Sequence, residues 1–202
     1  MRFLKSAGQL PGIVREFEVR VPSIDPGEMR AVFRRVKAVP KGNVLLRRIV
    51  YHPPAKEGHL KKWVRLRTDG SETELTMKSI KSWKVGDVFE ATTWVESFDA
   101  TAKILASLGC KSNYQEDVRE TWELPEAVLT IDYWPRISPL LEVEGRSKKA
   151  VLSALKKLGI EKSKATTLGI DEIYALNGID LHSFPEMRLS KRELALAGIS
   201  GE

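Results

Sequence analysis

Apolar and polar residues alternate through most of the first 145 positions of the chain. Such alternation is typical of strands that bury one face, because successive side chains of a strand point to opposite sides of a sheet. Turn-forming pairs such as Asp69-Gly70 separate the alternating segments. The pattern predicts eight strands, at residues 13–21, 44–52, 61–68, 72–78, 88–96, 113–122, 127–133 and 139–145. Eight antiparallel strands can close into a barrel.

Two helices interrupt the predicted strands. The first begins after Asp25, an N-cap residue that is followed by Pro26 in the first turn and by Glu28 three positions on. Its apolar residues recur at helical spacing, and we expect it to run to about Ala38. The second predicted helix covers residues 99–108 and stops at a glycine.

The spacing of the apolar residues changes after Gly145 from the alternation of strands to the spacing of helices. Residues 147–158 predict an amphipathic helix, and the segments beyond them read as short helices and loops. We therefore predict one α+β domain over residues 1–202. Its eight-stranded antiparallel β-barrel, or tunnel, occupies about residues 13–145, and a small helical C-terminal extension occupies residues 147–202.

The composition narrows the class of protein. Of the 202 residues, 42% are hydrophobic, which is enough for one substantial core. No segment approaches the roughly 20 apolar residues that cross a bilayer, and the first residues lack the apolar region of a secretory signal. Cys110 is the single cysteine, which excludes an internal disulfide. We therefore expect a cytoplasmic protein, monomeric or homodimeric, with no membrane partner.

The charge favours an anionic partner. The net charge of +6 results from 33 basic and 27 acidic residues. The sequence nevertheless lacks a basic arm, an aromatic platform for RNA and a recognition helix, which disfavours nucleic acid. The position of each charge on its strand is therefore more informative than the sum.

Charged residues recur at every second position of several predicted strands. Glu16, Glu18 and Arg20 share one face of the first strand, and Glu142 and Glu144 share one face of the last. Any one such strand is typical of an ordinary sheet with its charged face in water. The repetition of the pattern across strands instead favours a barrel whose charges face its interior.

Basic residues follow the same rule on the strands between. Arg65 and Arg67 share a face, and Lys78 lies on the face of Thr76. Two carboxylates about 4 Å apart repel by about 1 kcal/mol in water and about 4 kcal/mol at an effective dielectric near 20, so clustered glutamates need cations. Mg²⁺ or Mn²⁺ suits carboxylate oxygens, and guanidinium groups suit phosphate oxygens. A polyphosphate bound to metal and basic residues satisfies both sets.

The strand motifs resemble those of the CYTH, or triphosphate tunnel metalloenzyme, superfamily, which includes class IV adenylyl cyclases, thiamine triphosphatases and inorganic triphosphatases. The motif that looks like its ExExK signature is Glu16-Phe17-Glu18-Val19-Arg20. Its basic strands are similar to Trp63-Val64-Arg65-Leu66-Arg67 and to Leu75-Thr76-Met77-Lys78. Its closing acidic strand resembles Leu141-Glu142-Val143-Glu144-Gly145. The motifs occur in family order between about residues 13 and 160.

The resemblance implies a metal-dependent enzyme that holds a triphosphate, such as ATP, thiamine triphosphate or tripolyphosphate, inside the tunnel. It implies substrate binding by Arg20, Arg65, Arg67, Lys78 and Arg119. It implies binding of Mg²⁺ or Mn²⁺ by Glu16, Glu18, Glu90, Glu142 and Glu144. It also implies catalytic roles for Glu16, Glu18 and Arg20.

Two residues depart from the family pattern. Arg20 replaces the lysine of the signature, which keeps the positive charge but removes a group that can lose a proton. Val118 precedes Arg119 where a second basic residue is common, which weakens the expected grip on one phosphate.

Three functions remain open at this point. Hydrolysis of a triphosphate is the first. Cyclisation of ATP to cyclic AMP and pyrophosphate is the second, although residues 10–15 lack the His-Phe pair that the related cyclases carry before ExExK. The third is a non-catalytic module that binds polyphosphate, a nucleotide or RNA 5′ ends, which the acidic residues disfavour because an anion binder gains nothing from inward glutamates.

Overall fold

The computed structural model describes residues 14–53, 62–80 and 88–199. Its strands are β1 (Val14–Glu16), β2 (Glu18–Val21), β3 (Val39–His52), β4 (Lys62–Thr68), β5 (Thr73–Ile80), β6 (Val88–Val95), β7 (Lys111–Glu123), β8 (Ala127–Tyr133), β9 (Leu140–Gly145) and β10 (Glu186–Met187). Its α-helices are α1 (Pro26–Arg35), α2 (Phe98–Ala106), α3 (Lys148–Leu158), α4 (Ile170–Leu176) and α5 (Lys191–Leu196).

The strands form one strongly curled sheet. Its order is β1-β6-β5-β4-β3-β7-β8-β9-β2, and every neighbouring pair in this order is antiparallel. Strands β1 and β2 stand at opposite ends of the order, yet only Phe17 separates them in the chain. The two ends of the sheet therefore meet in the N-terminal strand. When β1 and β2 are counted as one N-terminal strand, this order contains eight antiparallel strands. The predicted α+β fold with an eight-stranded antiparallel sheet is therefore confirmed.

The N-terminal strand is divided where one continuous strand was predicted. Its first part pairs with β6, with Glu16 opposite Val88, and its second part pairs with β9, with Glu18 opposite Glu144. Between them, the carbonyl oxygen of Phe17 accepts a hydrogen bond from the amide of Gly145 at 3.0 Å. One strand has to serve both ends of a curled sheet, so its pairing changes partner at this residue.

Two predicted boundaries were wrong for local reasons. Helix α1 ends at Arg35 rather than near Ala38, because Lys37 adopts a left-handed backbone with φ of 60°. Strand β3 begins at Val39, five positions before the predicted start, because its register shifts between Pro40 and Gly42 and this irregularity interrupts the alternation. The predicted strand starts at residues 13 and 61 lie outside the described residues.

The main core lies on the outer face of the curled sheet. Val19, Leu129 and Val143 point outward from β2, β8 and β9 and are buried against Phe33 of α1 and Leu155 of α3. Side chains alternate along a strand, so the residues on either side of these apolar positions point the other way, onto the inner face. The helices thereby decide which face of the sheet carries the charges.

The C-terminal extension packs against one end of the curled sheet. Trp134, which follows β8, and Leu140, which begins β9, form a second core cluster with Ile173 and Tyr174 of α4. The extension is helical as predicted, with one addition, because β10 pairs in parallel with β7. None of the helices in the described ranges combines the length and hydropathy of a bilayer-spanning segment.

Because α3 covers the outer face of the sheet, substitutions of two of its leucines should destabilise the protein to different extents. Leu155 is 2% exposed and Leu152 is 37% exposed. We expect Leu155→Ala to lower the free energy of unfolding in urea by about 2–5 kcal/mol, because it opens a cavity between helix and sheet. The matched Leu152→Ala substitution should cost less than about 1 kcal/mol. Equal losses for both variants would contradict the packing described here.

Candidate functional site

The strand register places the predicted site residues on the inner face. Residues directly opposite each other in an antiparallel pair share a face of the sheet. Glu18 therefore faces the same side as Glu144, and Arg20 the same side as Glu142. This side is the inner one, because the intervening Val19 lies in the main core.

Basic side chains connect the acidic residues. Lys78 Nζ donates to Glu16 Oε1 at 2.7 Å and lies 3.6 Å from Glu90 Oε2. Arg20 Nη2 lies 2.8 Å from Glu18 Oε1 and 2.8 Å from Glu142 Oε2. The structure thus brings six of the predicted residues of β1, β2, β5, β6 and β9 into contact in two groups, one around Lys78 and one around Arg20.

Arg119 joins the second group. Its Nη2 donates to Glu142 Oε1 at 3.1 Å, and the guanidinium holds Asp132 through two further bonds of 2.8 and 2.6 Å. Asp132 lies directly opposite Arg119 in the register and is almost completely buried, so it is an acid of the inner face. Arg20 is tied further by its Nη1, which donates to the carbonyl of Leu168 in the C-terminal extension at 3.1 Å.

The acidic residues differ in how well their charge is compensated. Burial tends to raise the pKa of Glu142, but Arg119 and Arg20 hold it well below its usual range. Burial raises the pKa of Glu16 and of Glu18. For Glu144, burial and the neighbouring charges of Glu142, Glu16 and Glu18 raise the pKa to about 7. Negative charge is therefore in excess around Glu144.

The basic residues of β4 converge on one carboxylate oxygen. Arg65 Nη2 and Arg67 Nη2 lie 2.9 and 2.7 Å from Glu74 Oε1. Burial and the charge of Arg65 lower the pKa of Arg67 to about 10. A single carboxylate shared by two guanidinium groups leaves positive charge in excess on this side of the inner face.

Three charged residues of the inner face were missed by the sequence reasoning. Glu74 shares the parity of Thr76 and Lys78, a signal that could have identified it. Arg48 lies opposite Arg67 in the register and forms an ion pair with Asp117, and both are buried. Because Arg47 and Arg48 are adjacent, alternation alone does not tell which arginine faces inward.

Trp122 and Trp134 lie in different surroundings. Trp122 is buried in the main core, 5.4 Å from the ring of Phe33, and its indole nitrogen donates to Glu120 at 2.9 Å. It is therefore part of the outer packing. Trp134 instead touches the inner face, because the guanidinium of Arg48 lies 4.6 Å from its ring centre.

The glutamates of the inner face have the chemistry that a divalent cation requires, but they are not arranged around one. Across the described part of the chain, no three metal-ligating side chains are grouped closely enough to hold an ion. The oxygens of Glu16, Glu18 and Glu142 are bound to Lys78, Arg20 and Arg119 instead. Carboxylate oxygens are nonetheless the ligands of hard divalent cations, and the raised pKa of Glu144 indicates that positive charge is lacking there.

Comparison with known proteins identifies the fold. No protein-family model and no curated protein matches the chain. The PH1012 protein of Pyrococcus horikoshii superposes with a TM-score of 0.67 and 15% identity, over 76% of this chain and 96% of its own. A Vibrio parahaemolyticus protein proposed to be an adenylate cyclase gives a TM-score of 0.65 and 11% identity, over 80% and 98%.

A third structure carries a described activity. It is that of the Hippeastrum protein HpAC1, proposed to be an adenylyl cyclase and reported with a dominant triphosphatase activity. It matches with a TM-score of 0.56 and 15% identity, over 81% of this chain and 95% of its own. At such identities the likeness shows a shared fold.

The raised pKa of Glu144 predicts a pH effect on stability. Because this pKa is about 7 in the folded protein and about 4.5 in the unfolded chain, the folded protein holds the proton more tightly. The stabilisation from protonated Glu144 is complete below about pH 4.5 and is lost as the pH rises through about 7. In EDTA, the Tm of the wild type should therefore fall relative to that of Glu144→Gln between about pH 5 and pH 8.5.

The exposed Glu96 provides the control for this experiment. Glu96→Gln should follow the wild type at every pH. A constant difference in Tm between wild type and Glu144→Gln over the whole range would show that Glu144 titrates normally.

Proposed function

We propose that this chain, which has the fold of the CYTH or triphosphate tunnel superfamily, is a divalent-metal-dependent triphosphatase that binds its substrate on the inner face of the curled sheet. The observation that carries the proposal is the separation of charge on that face. Arg65 and Arg67 share one carboxylate oxygen, whereas Glu144 is surrounded by other acids. A metal-bound triphosphate supplies the anion that the first group needs and the cation that the second needs.

The basic residues would bind the phosphates. Guanidinium forks match phosphate oxygens in bidentate fashion, and Arg65 and Arg67 already hold a carboxylate oxygen at such distances. Lys78 of β5, Arg119 of β7 and Arg20 of β2 add positive charge on the same inner face. Their charges would also offset the negative charge that the transferred phosphoryl group spreads over its oxygens in the transition state.

The acidic residues would hold the metal. Glu16, Glu18, Glu142 and Glu144, with Glu90 beside Lys78, would provide oxygens for Mg²⁺ or Mn²⁺. When bound, the ion polarises phosphoryl oxygens and lowers the pKa of water.

Catalysis also requires the attacking water to be oriented. Glu16 and Glu18 would orient that water towards the terminal phosphorus. Arg20 would serve by its charge and not as a base, because Glu18 and Glu142 raise its pKa further despite burial.

Adenylyl cyclase activity is the second candidate. The Hippeastrum protein of the same fold is described with both activities, cyclase as a proposal and triphosphatase as the dominant one. The same phosphate grip would serve both, because only the attacking group differs: water at the terminal phosphorus, or the ribose 3′-hydroxyl at the α-phosphorus. The products therefore distinguish the two reactions.

The first test compares substrates. The protein is incubated with ATP, thiamine triphosphate or tripolyphosphate, each with Mg²⁺ or Mn²⁺, and phosphate, pyrophosphate and cyclic AMP are quantified. We expect phosphate from at least one substrate and no turnover in EDTA. Pyrophosphate with an equal amount of cyclic AMP from ATP would favour the cyclase. Tight binding without turnover of any substrate would sink both enzymatic proposals.

The second test compares inner-face residues with exposed ones of the same type. Arg67→Ala and Glu18→Gln should each lower kcat/KM by about 100-fold or more, because each removes a charge that contacts the substrate or its metal. Arg47→Ala, on the outer side of β3, and Glu96→Gln should retain activity. Circular dichroism checks that each variant is folded. Unchanged rates in both inner-face variants would place these side chains outside the site.

A further inference from the structure

Arg48 is a buried cation among other cations. It lies on β3, opposite Arg67 of β4 in the register, and it is 5% exposed. Burial and the charges of Arg67, Arg65 and Arg119 lower its pKa well below the ordinary value for arginine. Three of these guanidinium groups, those of Arg48, Arg65 and Arg67, share only two carboxylates among the described ion pairs, Asp117 and Glu74, so a further anion would stabilise this region.

The protein holds the Arg48 side chain in place from two sides. Its Nη2 donates to Oδ1 of Asp117, which is 0% exposed, and its guanidinium stacks on the ring of Trp134. Trp134 in turn packs edge-on against Tyr174, whose hydroxyl donates to the carbonyl of Pro135 at 2.8 Å. Arg48 is therefore oriented before any ligand arrives, which reduces the entropy that binding would cost.

Several donors near Arg48 have no acceptor within the described residues. They are Nε of Arg48, Nε of Arg65 and Nδ2 of Asn113, and all three atoms are buried. Two buried acceptors of the same region, Oδ1 of Asn113 and Oδ2 of Asp117, also have no partner within the described residues. Asn113 lies opposite Val50, and Val50 lies opposite Arg65, so the three donors belong to neighbouring strands and the same face. A buried donor without an acceptor is destabilising, and the unpaired donors here outnumber the unpaired acceptors, so a ligand rich in acceptor oxygens suits this region.

We propose that Arg48, with Asn113, forms an additional phosphate subsite next to Arg65 and Arg67, at the end of the inner face that Trp134 and the C-terminal extension cover. This subsite binds the third phosphate of a chain and so makes the protein select triphosphates over diphosphates. The inference rests on the proposed function, because it extends the same phosphate grip. Asp117 competes with that phosphate for the guanidinium of Arg48.

The alternative is that Arg48 and Asp117 are only a buried structural ion pair, and the two hypotheses predict different effects of charge removal on ligand affinity. Arg48→Gln/Asp117→Asn removes both charges, a change that buried pairs often tolerate. Asp117→Asn alone removes the competing anion. If Arg48 binds phosphate, the double variant weakens binding and the single variant strengthens it. If the pair is structural, neither variant changes affinity for ligands.

The test measures binding of methylene-bridged triphosphate and diphosphate analogues, which resist hydrolysis, by calorimetry in the presence of Mg²⁺. We expect Arg48→Gln/Asp117→Asn to bind the triphosphate analogue about tenfold more weakly, and the diphosphate analogue less than about threefold more weakly. Asp117→Asn should bind the triphosphate analogue several-fold more tightly. Arg67→Ala, the control, should weaken both analogues.

Other outcomes would contradict the proposed subsite. Unchanged affinities in the double variant, or an equal loss for both analogues, would overturn the subsite while leaving the proposed function intact. A wild-type protein that binds neither analogue would overturn the proposed function and the subsite with it. Asp117→Asn leaves Arg48 buried without its partner, so the double variant provides the answer if the single variant does not fold.

Discussion

Burial of the outer face of the curled sheet is the constraint on which the rest of the structure depends. Val19, Leu129 and Val143 pack beneath α1 and α3, so the alternating residues of the same strands have to face inward. A sheet of this kind usually exposes its polar face to water. Here the ends of the sheet meet at Phe17, and the charged side chains are enclosed together.

Because these charged side chains are enclosed by the sheet, they interact more strongly than they would on a surface in water. The effective dielectric of such an interior strengthens every interaction, so each acid requires a nearby cation and each cation an acid. Arg20 and Arg119 provide this for Glu142, and Lys78 provides it for Glu16. The compensation is incomplete at both extremes, with excess negative charge around Glu144 and excess positive charge around the arginines of β3 and β4. The proposed triphosphate and its metal would correct both.

The sequence predicted the fold class and the inward orientation of the charged strand motifs, because alternation shows directly which side chains share a face. It did not predict the division at Phe17, since the change of pairing partner depends on closure between distant strands. Arg48 and Asp117 were missed because each stands beside another charged residue, which conceals their parity. Glu74 was also missed, although its spacing from Lys78 places both residues on the same face of β5. The roles of all these residues in binding and catalysis remain predictions.

The central claim is that a triphosphate and a divalent ion bind together on the inner face. A crystal structure of the protein with tripolyphosphate and Mn²⁺ tests this most directly, because manganese can be located by its anomalous signal. We predict phosphate oxygens within about 3 Å of the guanidinium groups of Arg65 and Arg67. The manganese should lie among the carboxylates of Glu16, Glu18, Glu142 and Glu144. Tripolyphosphate bound on the outer surface, with no manganese among these glutamates, would contradict the claim.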